Sequence, residues 1–75
     1  MLPKLAHKDD QKWVREQMAK VPFVRRAKAA RGYDEVWQTA YYAEPKPHCK
    51  ENAGRFAANC RLREYIAKVH ASMHR

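Results

Sequence analysis

Three of the four prolines decide where helices can begin and end in this chain of 75 residues. Proline fits the first turn of a helix, but it breaks a helix interior and pushes the preceding residue out of the helical region. Pro22 therefore separates a first helix, over about residues 10–20, from a second one over about 22–31. Pro45 and Pro47 predict an extended linker. No proline follows them, so the remaining stretch predicts one long helix ending near Met73.

Apolar residues recur with the 3.6-residue period of a helix in the segments before the linker. The inward positions are predicted to be Trp13, Val14, Met18 and Val21 in the first helix, Phe23, Ala27 and Ala30 in the second, and Val36, Trp37, Ala40 and Tyr41 in a third. Gly32 is expected to adopt the left-handed conformation that ends the second helix. Asp34 would then cap a third helix over about 35–43, and the joint would be a tight helix-turn-helix.

The long C-terminal helix carries two apolar stripes on roughly opposite sides. The first contains Cys49, Ala53, Phe56 and Cys60, and the second contains Ala58, Leu62, Tyr65, Ile66, Val69 and Met73. Either this helix crosses its neighbours and is covered first on one face and then on the other, or the second stripe meets another molecule. Gly54 is the weak point of the helix and marks a bend or a close contact.

These patterns predict an all-α fold: a small single-domain bundle of three short helices and one long C-terminal helix. A chain of this length buries roughly 60% of the surface that its unfolded form exposes, so its stability is expected to be modest. No run of about 18 apolar residues is present, so no membrane span and no membrane partner are expected. Two cysteines are too few for a secreted disulfide framework, which favours a cytoplasmic protein with reduced thiols.

Charge is the strongest functional indication in the sequence. Lys and Arg number 16 against 8 Asp and Glu, a formal net charge of +8, and residues 22–32 contain four cations and no acid. We expect DNA or RNA to be bound through phosphate contacts with weak sequence selectivity. The predicted contact residues are Arg25, Arg26, Lys28 and Arg31, with Arg61 and Lys68, seven residues apart and so on one helix face, extending the patch. The third predicted helix carries acids and no cation, which makes it a poor recognition helix.

A second hypothesis is an adaptor or inhibitor that docks on a larger, acidic protein partner. Its interface would be the second stripe of the long helix, with Tyr65, Ile66, Val69 and Met73 at the centre and basic residues at the rim. A homodimer built on the same stripe is compatible with either hypothesis. Binding that survives high salt would favour a protein partner, whereas nucleic-acid binding weakens steeply with salt.

Catalysis and metal binding find little support in the residue pattern. His48, Cys49, Cys60 and His70 are of types that zinc accepts, but no two of them have the spacing that places ligands on adjacent helical turns. No nucleophile elbow, phosphate-binding glycine loop or paired carboxylate motif is present. We therefore expect a protein that is not an enzyme and has no metal site and no cofactor.

Overall fold

The computed structural model of the protein describes residues 2–73, and every regular element within them is helical. The predicted all-α class is thereby confirmed. A short 3₁₀ turn precedes each of three α-helices. The α-helices are α1 (Gln11–Met18), α2 (Arg26–Ala43) and α3 (Lys50–Met73), and the turns are Lys8–Asp10, Phe23–Arg25 and Pro47–Cys49.

The predicted helix-turn-helix at Gly32 is wrong, because α2 runs through this residue without interruption. No residue in 2–73 has the positive φ that a left-handed cap requires. A glycine inside a helix costs only about 1 kcal/mol relative to alanine. Ala30 and Tyr33, buried on either side of Gly32, bury enough apolar surface to outweigh that cost. Asp34 is not a helix cap; its carboxylate accepts hydrogen bonds from the backbone N–H groups of Lys4 and Leu5 at 3.0 and 2.9 Å.

α2 and α3 form an antiparallel hairpin whose close approach is set by Gly54. A Cβ atom at this position would lie 2.8 Å from Cδ2 of Trp37 and 3.1 Å from the Trp37 carbonyl oxygen. The expected close contact at Gly54 is thus confirmed, and α3 continues through it. Further along the pair, the Tyr33 hydroxyl donates a hydrogen bond to Oδ1 of Asn59.

The N-terminal segment and α1 cover one side of this hairpin and complete the core. Val14, Met18 and Val21 are buried there as predicted, together with Ala6 of the N-terminal segment and residues of both long helices: Ala30, Tyr33, Ala58, Leu62 and Ile66. The second stripe of the long helix is therefore core. The expectation that it is an exposed interface is wrong for Ile66 and Val69, which are 7% and 5% exposed. Tyr65 packs partly buried against the core, and the side chain of Met73 lies outside the part that the structure describes.

Two aromatic residues lie on the surface although their spacing predicted core positions. Phe23 is 82% exposed and Phe56 is 74% exposed. Phe23 belongs to the 3₁₀ turn before α2 and not to the helix itself, so the helical period does not apply to it. Phe56 belongs to the first stripe of α3, which neither α2 nor α1 covers at this position.

A polar cluster fastens the N-terminal segment to α3. Arg55 donates two hydrogen bonds to the Asp10 carboxylate, at 2.9 and 3.1 Å, and Asn59 donates a third at 3.3 Å. The hydrogen bond from Arg55 is the main reason that the pKa of Asp10 lies below its ordinary value of 3.8, and burial opposes the shift. Burial raises the pKa of Tyr33 to about 12, and the charges of Asp10 and Asp34 add to this effect.

The two glycines form a matched pair for a stability measurement. We expect Gly32→Ala to raise the free energy of unfolding by up to about 1 kcal/mol, because alanine favours the helix and its Cβ meets nothing within 4 Å. Gly54→Ala should lower the free energy of unfolding by at least about 1 kcal/mol, because its Cβ collides with a packed indole. Urea unfolding followed by circular dichroism measures both. Shifts of the same sign would contradict this account of the helix pair.

The Asp10 cluster predicts a pH-dependent contribution to stability. Because the pKa of Asp10 is lowered in the folded state, its contribution is present above the ordinary carboxyl pKa and disappears as the pH falls through the folded value. Asp10→Asn should therefore lower the free energy of unfolding at neutral pH. The difference in this free energy between the variant and the unmodified protein should become smaller below pH 3.8. Asp9→Asn is the control: its side chain is 65% exposed and its 3.7 Å contact with His7 is an exposed pair, which contributes little to stability, so the free energy of unfolding should change little.

Candidate nucleic-acid interface

An open groove runs between α2 and α3 on the side that the N-terminal segment leaves uncovered. Asp34 and Arg55 mark the covered side through their bonds to that segment. At about 100° per residue, Gly32 lies roughly 200° around α2 from Asp34, and Arg61 lies roughly 240° around α3 from Arg55. The groove has a volume of about 140 Å³ and is lined by Lys28, Ala29, Gly32, Tyr33, Arg61, Leu62 and Tyr65.

Lys28 and Arg61 place positive charge on opposite walls of this groove. Both residues are exposed. Arg61 has one distant ion pair, 3.9 Å from Glu64, between two side chains more than half exposed. No hydrogen bond or ion pair within residues 2–73 holds the Lys28 ammonium. The two charges are therefore accessible to an anion that enters from solvent.

Gly32 leaves the floor of the groove open. A Cβ atom at this position would have no neighbour within 4 Å, so packing does not require a glycine here. Ala29, one turn earlier, also contributes only a small side chain. A ligand can consequently approach the α2 backbone between the two cations more closely than larger side chains would permit.

Three of the six cations predicted to bind nucleic acid lie along this side of the hairpin. Lys28 and Arg61 line the groove. Lys68, seven residues after Arg61, continues the same face of α3 and is exposed. Arg25 is exposed in the 3₁₀ turn before α2, so positive charge extends beyond the groove along α3 and is also present at the start of α2.

Arg26 and Arg31 are not brought to the groove. The Arg26 guanidinium donates hydrogen bonds to the backbone carbonyls of Val21 and Ala19, at 2.9 and 3.2 Å, and so ties the end of α1 to the start of α2. Arg31 is exposed but does not line the groove between the two helices. Arg26 therefore stabilises the joint between α1 and α2, and Arg31 adds to the net positive charge without lining the groove.

The same face becomes apolar towards the α2–α3 connection. A shallower depression there has a volume of about 420 Å³ and is lined by Glu35, Val36, Thr39, Ala40, Ala43 and Ala57. Glu35 is its one charged lining residue. The positive and apolar halves of the face are therefore separate along the helix axes.

Sequence reasoning did not place Gly32, Tyr33 or Tyr65 in a ligand groove. Gly32 was predicted as a turn and Tyr65 as part of a protein interface, whereas both line the groove together with Lys28 and Arg61. The spacing of Ala29 and Gly32, two small residues on one helix face, is the signal that could have indicated an open floor.

Other kinds of site find no geometric support in the described part of the chain. Across residues 2–73, no three His, Cys, Asp or Glu side chains lie close enough together to hold a metal ion. None of the helices there combines the length and apolar character that crossing a membrane requires. Cys49 and Cys60 are half-buried free thiols.

Comparison with known proteins adds no assignment. The chain matches no family model, no curated protein and no solved structure. The open basic groove between α2 and α3 is therefore the feature from which a function can be inferred.

Proposed function

We propose that this protein is a non-enzymatic nucleic-acid-binding protein that holds DNA or RNA by its phosphates along the basic groove. The observation that carries the proposal is the facing pair of Lys28 and Arg61 across an open floor at Gly32. Lys68, exposed on the same face of α3 as Arg61, and Arg25, exposed in the turn before α2, supply further phosphate contacts. The net charge of +8 attracts a polyanion from a distance.

The chemistry of the groove suits a phosphate backbone. Lys28 offers a compact point charge, and Arg61 offers a planar fork that can donate two parallel hydrogen bonds to phosphate oxygens. Each neutralised phosphate releases condensed counterions, which provides a favourable contribution that weakens as salt rises. Affinity for a mixed-sequence ligand follows from these contacts alone.

Weak sequence selectivity follows from the composition and shape of the groove. Its lining residues include no Asn or Gln, which read adenine through paired hydrogen bonds. Lys28 and Arg61 are of types that bind guanine as well as phosphate, so they do not restrict the groove to one sequence. Because α2 is one uninterrupted helix, no separate recognition helix projects from a turn at Gly32. We therefore assign binding to backbone contacts, which position a protein on nucleic acid without reading its sequence.

A charge-neutralised pair tests the groove directly. Lys28→Gln combined with Arg61→Gln should weaken binding to a mixed oligonucleotide pool uniformly across sequences. The slope of log affinity against log salt should fall by about two, one for each lost phosphate contact. Fluorescence anisotropy over a series of salt concentrations measures both quantities.

The matched control removes the same charge from another surface. Lys8→Gln combined with Lys12→Gln changes two exposed lysines at the turn before α1 and in α1, on the covered side of the hairpin. This variant should keep most of the affinity and the slope. Equal losses in the two variants would show that total charge and not the groove determines binding, and would overturn the proposal.

Filling the groove without changing its charge gives an independent test. Gly32→Leu introduces a strong helix former into α2 and places a bulky side chain between Lys28 and Arg61. It should weaken oligonucleotide binding several-fold while leaving the helix content unchanged. Gln38→Leu, at an exposed position of the same helix, should leave the affinity unchanged. An unaffected affinity in Gly32→Leu would show that the ligand does not enter the groove.

The alternative of an acidic protein partner now rests on different residues from those first expected. Ile66 and Val69 are core residues and are not available to a partner. An acidic protein would have to use the same basic groove, with the apolar depression around Val36 and Ala40 beside it. Its complex would persist at salt concentrations that release a nucleic acid.

A further inference from the structure

The corner between α1 and α2 exposes two adjacent apolar side chains that the groove does not use. Phe23 is 82% exposed and Val24 is 86% exposed. Single exposed apolar residues are common on protein surfaces. Here a Phe and a Val are adjacent at the tip of a turn, and together they form an apolar projection. Such projections mark contact sites.

The Phe23 ring is held in place on one side and open on the other. Pro22 has an extended backbone, with φ −52° and ψ 139°, and its carbonyl accepts a hydrogen bond of 2.8 Å from the Arg25 N–H, so the turn is fixed. The Arg26 guanidinium lies over the ring, 5.8 Å from its centroid. Since Val21 and Ala19 hold that guanidinium, the ring is backed by an anchored cation.

All charged residues near this corner in the sequence are cations. Between Glu16 and Asp34 the sequence contains no acid. It does contain five cations: Lys20, Arg25, Arg26, Lys28 and Arg31. A ligand for the corner must therefore combine negative charge with an apolar surface that fits a flat ring.

We infer that Phe23 is a stacking platform for an unpaired base, next to phosphate contacts from Lys20 and Arg25. This inference rests on the proposed function and adds to it a preference for single-stranded nucleic acid. An unpaired base has a free π-face and adjoining phosphates, and aromatic platforms flanked by cations bind single strands in this way. Arg25 ends the 3₁₀ turn that carries Phe23 and directly precedes α2, three residues before Lys28 at the groove, so one strand can occupy both sites.

A single ring backed by a fixed guanidinium favours a planar ligand over the fluid interior of a lipid surface. Insertion into an anionic membrane uses apolar side chains without a requirement for aromatic stacking. Replacement of Phe23 by leucine should therefore weaken the binding of a single strand but not the binding of a membrane.

The test compares Phe23→Ala, Phe23→Leu and Phe23→Trp in the full chain. All three change a side chain that is mostly outside the core, so the fold is expected to persist, and circular dichroism checks it. The probes are a labelled oligothymidylate of about 20 nucleotides, a duplex of the same length, and vesicles of phosphatidylcholine with phosphatidylserine. Phe56→Ala, at a ring 74% exposed on α3 and outside both proposed sites, is the matched control for loss of an exposed aromatic side chain.

We expect Phe23→Ala and Phe23→Leu each to weaken binding of the single strand about fivefold or more, and Phe23→Trp to retain the affinity. The salt dependence should stay unchanged, because no phosphate contact is lost. Duplex binding should change less than about twofold. Phe56→Ala should have little effect on either oligonucleotide.

Four results would overturn the stacking role. Full affinity in Phe23→Leu would show an apolar contact without stacking. Unchanged affinity in Phe23→Ala, together with weakened binding by the Lys28→Gln and Arg61→Gln variant, would remove Phe23 from the site and leave the proposed function intact. Loss of vesicle binding in Phe23→Ala with unchanged oligonucleotide affinity would assign the corner to a membrane surface. Failure of the unmodified protein to bind oligonucleotides better than a basic protein of equal charge would overturn both proposals.

Discussion

The close contact between Gly54 and Trp37 controls the geometry of the whole molecule. Because a Cβ at position 54 would lie within 2.9 Å of two indole carbons, only glycine lets α3 approach α2 at this distance. The two helices form the largest contact in the fold, and their separation also sets the distance between Lys28 and Arg61 further along the pair. The same packing constraint therefore shapes the core on one side and the groove on the other.

The N-terminal segment determines which side of the hairpin stays open. Its backbone binds the Asp34 carboxylate, and Asp10 binds Arg55. These acids stand on the covered side and are satisfied there by N–H donors. The N-terminal segment thus binds Asp10 and Asp34 away from the groove, while Lys28 and Arg61 remain on the free side. The groove is positive because neither of these two acids faces it, although Glu64 lies 3.9 Å from Arg61 and Glu35 lines the neighbouring depression.

The sequence predicted helices well where apolar residues repeat with the helical period over a long stretch. It failed at residues that are compatible with two different structures. Val14, Met18 and Leu62 follow an unbroken 3.6-residue period, and the helical class and much of the core follow from them. Gly32 suits both a left-handed cap and an open groove floor, and only the packing of Ala30 and Tyr33 onto α3 distinguishes these roles. The burial of Ile66 was unpredictable for a similar reason, because an apolar stripe does not reveal whether α1 or another molecule covers it.

What each cation touches limits how much of the net charge a ligand can use. The Arg26 guanidinium is held by carbonyls at the end of α1. The Lys50 ammonium binds the carbonyls of Tyr41 and Glu44 at the end of α2. The Arg63 guanidinium lies over the Trp13 ring, 4.9 Å from its centroid. Moving these groups to a phosphate would break contacts that hold the helices together. Lys28 has no such contact within the described residues, so binding a phosphate there costs the protein no internal interaction. An anion consequently gains the most binding free energy in the groove, although the cations that stabilise the fold outnumber those that line the groove.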